Sequence, residues 1–204
     1  MKPIVFKNIN ISVPYKGIYR RLGYRENITS VSLKQKKEIE EYIVEALSYI
    51  SLKGAGMRLA ISGKYTDKIV LENGTVFKSS GLAKMLQSSS GVLLIAATCG
   101  NKIMSSIKKN SLGKNVTKAV VFDAVASEMT DAVLDWIIGY FRNQLRREGK
   151  SITSRRFSCG YGDFVLQNQK LMHKILKLKS LGVKLSKTFI LIPEKSVTAV
   201  AGII

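Results

Sequence analysis

Hydrophobic residues change their spacing along the chain, and each spacing predicts a helix or a strand. Between residues 33 and 50 they recur at helical spacing, with Ser32 placed to cap the helix and Gly54 to end it. Residues 91–98 are continuously apolar and predict a buried strand. Residues 116–146 are apolar on nearly all sides, which predicts a long helix that runs through the core.

Shorter apolar segments complete the predicted order of elements. Strands are expected at residues 4–13, 57–62, 68–72, 75–77, 151–156, 189–192 and 197–203. Short helices are expected at residues 15–22, 82–86 and 167–179, and Asn73-Gly74 predicts a tight hairpin turn. Because strands and helices do not alternate, we predict one α+β domain over residues 1–204, with helices packed on a mainly antiparallel twisted sheet.

Chain length and hydropathy indicate the protein class and the compartment. At 204 residues and 46% hydrophobic residues, the chain can bury a sizeable core. Its longest apolar run, residues 92–97, is too short to span a bilayer. The N-terminus lacks the basic, apolar and small-residue regions of a signal peptide. We therefore expect a cytoplasmic protein that does not associate with a membrane.

The charge is unusual for a globular protein. Thirty-three Lys and Arg residues against fourteen Asp and Glu residues give a net charge of +19. Such a field attracts acidic partners, and nucleic acid, an anionic membrane or an acidic protein would all satisfy it. A proteome rich in Lys would produce the same charge without any specific partner, so the charge alone leaves these alternatives open.

One segment carries the most distinctive chemistry. Arg156 lies four residues before Gly160-Tyr161-Gly162, in a stretch too rich in Gly to be the interior of a helix. A guanidinium binds a carboxylate with two parallel hydrogen bonds, and Gly lets the main chain approach a ligand closely. The segment can therefore hold a small amphoteric molecule by its carboxylate. The alternative is a surface turn with an Arg nearby.

Acidic residues form a second constellation on the predicted long helix. Asp123, Ser127 and Asp131 recur at four-residue spacing and are expected on one face, with Glu128 and Asp135 on an adjoining stripe. This face is either a solvated edge of the helix or an anionic wall for a cationic group of a ligand.

Common catalytic and metal-binding motifs are absent from the sequence. The single His, His173, and the two Cys, Cys99 and Cys159, cannot form an ordinary zinc site or a disulfide framework. Both Cys are expected to be free thiols, and each precedes a Gly, so they can lie in neighbouring loops. No Ser-His-Asp motif, phosphate-binding loop or dinucleotide-binding Gly pattern is present, so acid-base catalysis has poor candidates.

The segment from Arg156 to Phe164 resembles the Arg-x-x-x-Gly-Tyr loop of the activation (reactivation) domain of cobalamin-dependent methionine synthase. The similarity extends over residues 91–204, through a Leu-Gly segment at residues 181–186 and a Lys-Ser-Val ending at residues 195–197. It is patchy before residue 91. Two positions depart from the family pattern: Cys159 replaces the usual Pro, and Phe164 replaces a frequent Trp.

The resemblance implies that the protein binds S-adenosylmethionine and has no catalytic or metal-ligating residue. Arg156 would bind the carboxylate of the ligand, and Asp131 matches an acidic position of the family helix and would meet its ammonium. The residues implied to bind the ligand are Arg156, Cys159, Gly160, Tyr161, Asp131 and Ser196.

The implied function is the reductive methylation of cob(II)alamin in a separate protein. The chain has no cobalamin-binding module of its own, so it would act in trans on a cobalamin-dependent methyltransferase, first of all a methionine synthase that lacks its own activation domain. An acidic flavodoxin-like protein would supply the electron, and the +19 charge would steer that encounter. A different corrinoid protein as the target fits the sequence equally well.

A basic nucleic-acid-binding protein is the alternative that we rank below this one. Its support is the alternation of aromatic and cationic residues in Tyr15-Lys16, Tyr19-Arg20-Arg21 and Tyr24-Arg25. A second basic cluster consists of Arg142, Arg146, Arg147, Lys150, Arg155 and Arg156. No recognised RNA- or DNA-binding motif accompanies these residues.

Overall fold

A computed structural model describes residues 2–25, 28–113 and 115–204 of the chain. Its helices are α1 (Tyr15–Arg21), α2 (Leu33–Ser48), α3 (Ser80–Met85), α4 (Asn101–Leu112), α5 (Val116–Arg146) and α6 (Gln169–Ile175). Its strands are β1 (Ile4–Phe6), β2 (Lys53–Lys64), β3 (Lys68–Leu71), β4 (Val76–Lys78), β5 (Gly91–Thr98), β6 (Ile152–Phe157), β7 (Lys184–Leu185), β8 (Leu191–Ile192) and β9 (Ser196–Ile203).

The strands form one large antiparallel sheet and a small hairpin. The order in the large sheet is β4-β3-β2-β5-β9-β6, and β1 pairs with the first part of β2. β7 and β8 pair only with each other. The predicted α+β class with an antiparallel sheet is therefore confirmed. Among the helices of the described residues, none is long and apolar enough to cross a membrane.

Two hydrophobic cores lie on opposite faces of the sheet. α1, α2, α4 and α5 cover one face, where Leu93, Ile95, Ala199 and Ala201 point toward α5. α3 and α6 cover the other face, together with the residues of β5 and β9 that alternate with these, such as Val200. Because both faces of β5 are covered, all eight of its residues are buried, which confirms the strand predicted from its continuous apolar run.

α5 is the central element of the first core. It spans Val116–Arg146, the predicted range, and Asn115 caps it by accepting a hydrogen bond from the backbone N–H of Lys118 at 3.0 Å. Fourteen of its 31 residues are buried. The helix therefore fills the space between the sheet and α2, as its apolar sequence predicted.

Two glycines on β2 let α5 approach the sheet closely. A Cβ at Gly54 would lie 2.5 Å from Cδ1 of Ile137, and a Cβ at Gly56 would overlap the ring of Phe141. Gly54 was predicted to end α2, but it lies inside β2, where it pairs with Ala97, and α2 ends at Ser48. The missing side chain of Gly54 therefore makes room for α5 on the sheet, and the residue does not end a helix.

Other local predictions are confirmed or corrected by the structure. Ser32 caps α2 with a full capping box, and Gly74 has φ 78° in the turn between β3 and β4, as predicted. The strand predicted at residues 4–13 ends at Phe6, because β1 finds only three partners on β2. The helix predicted at residues 167–179 stops at Ile175.

α4 was missed by the sequence analysis. Its sequence is mostly polar, and Ile103 is its one buried residue. So narrow an apolar stripe cannot be distinguished from a loop by periodicity alone. The helix is stabilised by its packing against α5, which the sequence does not show.

Replacing Gly56 with Ala should destabilise the protein by about 1–3 kcal/mol, because the added methyl group must displace the Phe141 ring. Urea unfolding followed by circular dichroism measures the change in free energy. The matched control is Gly139→Ala in α5, where an added Cβ has no atom within 4 Å. That change should be neutral or stabilise by up to about 1 kcal/mol. A neutral Gly56→Ala would show that α5 can move away from the sheet without cost.

Candidate ligand-binding site

Arg156 is placed by the edge strand of the sheet. β6 pairs with β9, with Arg156 opposite Ala201 and Ile152 opposite Ile203, so β6 carries two extra residues between these pairs. Ala201 belongs to the core beneath α5. Side chains of paired residues point to the same face of a sheet, so Arg156 also points toward α5.

On that face Arg156 meets two carboxylates of α5. Its Nη2 lies 3.6 Å from Oδ1 of Asp131, and its Nη1 donates to Oδ1 of Asp135 in a short contact. Asp131 and Asp135 are 46% and 71% exposed, whereas the Arg156 side chain is 28% exposed. The structure thus brings together the two residues that were predicted to bind the carboxylate and the ammonium of a ligand.

A second Arg reaches Asp131 from α1. Nε of Arg21 donates to Oε1 of Glu128 at 2.7 Å, and its Nη2 lies 3.5 Å from Oδ2 of Asp131. α1 comes this close because Gly17 has no side chain: a Cβ there would overlap the Glu128 carboxylate. Asp131 therefore lies between the guanidinium groups of Arg21 and Arg156.

Lys195 occupies the other end of the same helix face. Its Nζ lies 2.8 Å from Oδ1 of Asp123 and donates to Oγ of Ser127 at 2.7 Å. The predicted face of Asp123, Ser127 and Asp131 is confirmed, and Asp135, one turn beyond Asp131, meets Arg156 together with it. We call Asp123, Ser127, Asp131 and Asp135 the acidic stripe.

The acidic stripe therefore differs from both forms that the sequence allowed. Each of its three carboxylates is paired with a cation from another part of the chain, so it is more than a solvated edge. It is also not an open anionic wall, because a cationic ligand group would have to share these carboxylates with Arg156, Arg21 or Lys195.

The balance of burial and charge affects Asp131 most. Burial raises the pKa of Asp131 above its ordinary value, and the charges of Arg156 and Arg21 oppose this rise. The neighbouring carboxylates of Glu128 and Asp135 add to the rise. An ammonium group brought next to Asp131 would favour its charged form, which gives a cationic ligand group a place to bind.

The loop after β6 holds the remaining predicted residues. Gly160 has φ 94°, and its N–H donates to the carbonyl of Phe164 at 2.7 Å. Tyr161 donates its backbone N–H to the carbonyl of Ser158 at 3.2 Å, and its side chain is 69% exposed. Phe164 is buried edge-to-face against Phe77, with ring centroids 5.4 Å apart. The loop is thus a tight, anchored turn that presents Tyr161 to solvent.

Asp163 ties this loop to the start of α3, a role that sequence reasoning missed. Its carboxylate accepts hydrogen bonds from the Ser79 hydroxyl at 2.6 Å, from the Ser80 N–H at 2.5 Å and from the Gly81 N–H at 3.2 Å. These bonds hold the pKa of Asp163 below its ordinary value, the Ser79 bond most of all. The signal in the sequence is the Asp that directly follows the Gly-Tyr-Gly turn.

Cys159 and Ser196 lie on the opposite face of the sheet from Arg156. Cys159 is buried, and its Sγ accepts a long hydrogen bond from the Thr198 hydroxyl at 3.9 Å. Ser196 donates to Oγ1 of Thr98 at 2.8 Å, in register on β5. A ligand on the Arg156 face would therefore not meet these two side chains directly.

The two Cys are free but not neighbours. Cys99 belongs to the core beneath α5 and donates to the Ala126 carbonyl at 3.1 Å, whereas Cys159 belongs to the other core. Their side chains therefore lie on opposite faces of the sheet. Burial raises the pKa of each thiol to about 11, so neither is a reactive nucleophile near neutral pH.

Metal ligands do not cluster in the described part of the chain. No group of three or more His, Cys, Asp or Glu residues there is arranged to hold a metal ion. His173 lies half-buried, with Nε2 2.9 Å from the Val183 carbonyl, which joins α6 to the segment before β7.

A groove runs along β6 beside Arg156. It has a volume of about 650 Å³ and is lined by Lys84, Met85, Ser154, Arg155, Arg156 and Phe157, among others. Its size falls within the range of small-molecule sites. The groove lies on the α3 side of the edge strand β6, whereas the Arg156 guanidinium meets the carboxylates of α5 on the other side.

Comparisons with known proteins identify the fold. The sequence matches no protein-family model, and no curated protein shows significant similarity to it. The structure is similar to the crystal structure of the MetH reactivation domain bound to AdoHcy, with a TM-score of 0.69. The match covers 99% of this chain and 78% of that chain at 12% sequence identity. The chain therefore has the fold of that reactivation domain, which the sequence resemblance predicted.

The Asp163 carboxylate should make the stability of the protein depend on acid pH. A pKa that is lower in the folded state stabilises the fold above the unfolded value of about 3.9, and this stabilisation is lost as the pH falls through the folded value. Asp163→Asn should therefore lower the melting temperature at pH 7, and the gap to the wild type should close as the pH falls below about 4.

Thermal melts over this pH range provide the measurement, with Asp67→Asn as the matched control. Asp67 is exposed, and its carboxylate makes no hydrogen bond or ion pair with a described residue. A constant gap between the Asp163→Asn protein and the wild type at all pH values would contradict the assigned role of the carboxylate.

Proposed function

We propose that this chain binds S-adenosylmethionine through Arg156 and Asp131 and acts in trans as the reactivation module of a cobalamin-dependent methyltransferase. The observation that carries the proposal is the contact of 3.6 Å between the Arg156 guanidinium and the Asp131 carboxylate. These two groups lie at the sheet edge of a fold shared with a reactivation domain whose crystal structure contains AdoHcy.

The geometry suits the amino-acid end of such a ligand. The carboxylate and the ammonium of an amino acid are attached to one carbon, so they need a cation and an anion that are direct neighbours. Arg156 and Asp131 are such neighbours, and both are partly exposed. A ligand carboxylate would take the place of Asp135 on Arg156, and the ligand ammonium would lie against Asp131.

Asp135 is the group most easily displaced from Arg156. It is 71% exposed, and exposed ion pairs contribute about 0–1 kcal/mol because water and salt screen them. A ligand carboxylate that forms two parallel hydrogen bonds with the guanidinium would replace this contact at little cost.

The lack of an acid-base catalyst is compatible with the proposed reaction. A partner's cobalamin would supply the methyl-accepting metal centre, so the chain needs no general base of its own. Its task is to bind and orient the methyl donor. The partner proteins in this proposal are a methionine synthase that lacks its own reactivation domain, or another corrinoid protein, and an acidic flavodoxin-like electron donor.

The net charge of +19 supports an acidic electron donor. Electrostatic steering raises association rates between oppositely charged proteins and weakens as salt screens the charges. A protein of this charge that works with a flavodoxin-like donor should therefore associate with it rapidly at low ionic strength.

Arg156→Ala should weaken the binding of S-adenosylmethionine by about 10- to 100-fold. A hydrogen bond to a charged group contributes about 1.5–3 kcal/mol, and this contribution would be lost. Arg156→Lys should recover part of the affinity, because an ammonium cannot form the two parallel bonds. Isothermal titration calorimetry measures both values. Arg155→Ala is the matched control, since Arg155 is the neighbouring cation on β6 but makes no ion pair with a described residue.

The same titration separates the two carboxylates that contact Arg156. Asp131→Asn should weaken binding, but it should spare an analogue that lacks the amino group. Asp135→Asn should leave affinity unchanged or raise it by up to about fivefold, because it removes a competitor worth up to about 1 kcal/mol. Equal losses for Asp131→Asn and Asp135→Asn, or for Arg156→Ala and Arg155→Ala, would mean that only general charge is at work. Absence of any binding by the wild type would refute the proposed ligand.

A reconstituted reaction tests the function in trans. Cob(II)alamin-loaded methionine synthase without its reactivation domain is mixed with reduced flavodoxin, S-adenosylmethionine and this protein. Methylcobalamin, followed by its absorbance, should form with the wild-type protein and fail to form with Arg156→Ala. If the protein binds the ligand but no methylcobalamin forms, the assay is repeated with other corrinoid proteins. Failure with all of them would overturn the reactivation role while leaving ligand binding intact.

A further inference from the structure

The aromatic and basic residues of α1 and of the turn after it gather around one groove. This groove, which we call the α1 groove, has a volume of about 750 Å³. The residues that form it include Tyr15, Lys16, Tyr19, Arg20, Tyr24 and Arg25. The alternation of tyrosines and cations seen in the sequence therefore forms a single surface, from which only Arg21 turns away, toward the acidic stripe.

The backbone of the turn holds these side chains in place. Gly23 has φ 88°, and the N–H of Tyr24 donates to the carbonyl of Tyr19 at 3.0 Å. The Tyr19 and Tyr24 rings then meet edge-to-face, with centroids 5.2 Å apart. The N–H of Arg25 donates to the Thr29 hydroxyl at 2.9 Å. The groove is therefore already formed without a ligand.

Its aromatic rings are available to different degrees. Tyr15 is 46% exposed at the start of α1, whereas Tyr19 is half-buried and packs on the core beneath α5. Tyr24 is half-buried against Tyr19. The groove thus combines a ring that is free to stack with two rings that are supported from behind.

The cations of the α1 groove have no carboxylate partner among the described residues, unlike several other cations of the protein. Lys16, Arg20 and Arg25 are exposed, and none of them forms an ion pair within the part of the chain that the structure describes. Arg21 and Arg156, by contrast, are paired with the acidic stripe. The described residues lining the groove carry these three cations and no carboxylate.

We propose that the α1 groove binds single-stranded nucleic acid. Lys16, Arg20 and Arg25 contact phosphates, and the tyrosine rings, with Tyr15 foremost, stack on unpaired bases. An acidic protein would pair with the three cations but would offer no bases on which the tyrosine rings could stack. The net charge of +19 adds a favourable long-range field for a polyanion. This inference is independent of the proposed S-adenosylmethionine site, since neither Arg156 nor Asp131 lines the groove.

The test is a fluorescence anisotropy titration of the full chain with a labelled single strand of about 12 nucleotides, a length within the usual range for one binding domain. An abasic strand of the same length has the same phosphate charge but nothing to stack, and it should bind more weakly. Tyr15→Ala should weaken binding of the normal strand roughly tenfold and leave the abasic strand unaffected.

Salt dependence separates the groove from the general charge of the protein. The triple variant Lys16→Ala/Arg20→Ala/Arg25→Ala should reduce the slope of log affinity against log salt by about two, since each phosphate contact to a single strand contributes about 0.7. The control Lys108→Ala/Lys174→Ala/Lys187→Ala removes the same charge from exposed positions outside the groove and should keep most of the slope.

Four results would overturn the proposal. They are equal losses in the two triple variants, equal affinity for the normal and the abasic strand, competition by polyglutamate as effective as by the unlabelled strand, and no saturable binding at about 0.1 M salt. Polyglutamate competition would instead identify the groove as a surface for acidic proteins. Thermal melts of each variant confirm that the fold is retained, and all titrations are done without S-adenosylmethionine.

Discussion

The close packing of α5 on the sheet is the constraint on which the rest of the structure depends. Gly54 and Gly56 remove the side chains that would hold the helix away from β2, so Ile137 and Phe141 can reach the strand backbone. Close-packed interiors of this kind allow little lateral movement. The face of α5 that carries Asp131 is therefore held in a fixed position beside the sheet edge, close to Arg156 of β6.

Charge pairing on that helix face then joins distant parts of the chain. Arg21 comes from α1, Arg156 from β6, and Lys195 directly precedes β9. All three end on carboxylates of α5. In a protein with a net charge of +19, four of the fourteen acids lie within thirteen residues of α5, and cations from three separate parts of the chain converge on them. Because these pairs are partly exposed, they are weak enough to be exchanged for a charged ligand.

The sheet also divides the residues that the sequence resemblance grouped together. Arg156 and Asp131 share the α5 face, Cys159 and Ser196 belong to the other face, and Tyr161 stands beyond the strand end on its loop. Direct contact with a ligand is therefore proposed for the first pair alone. Cys159 packs in the core on the α3 and α6 side, and Ser196 joins β9 to β5 through Thr98. Asp163, which was not among the predicted site residues, positions the loop by accepting hydrogen bonds from the start of α3.

Periodicity along the sequence determined the α+β class, the long helix, the buried strand β5 and the Asn73-Gly74 turn, because each depends on neighbouring residues whose spacing can be read directly. Residue chemistry placed Arg156 among the candidates, and four-residue spacing together with the family resemblance placed Asp131 there. Only the tertiary structure decided which residues meet, since contacts between β6, α1 and α5 depend on strand register and on how closely helix and sheet approach. The same reason explains why Gly54 is a packing position rather than a helix end, and why the mostly polar α4 is a helix at all: packing against distant residues overrides local preference.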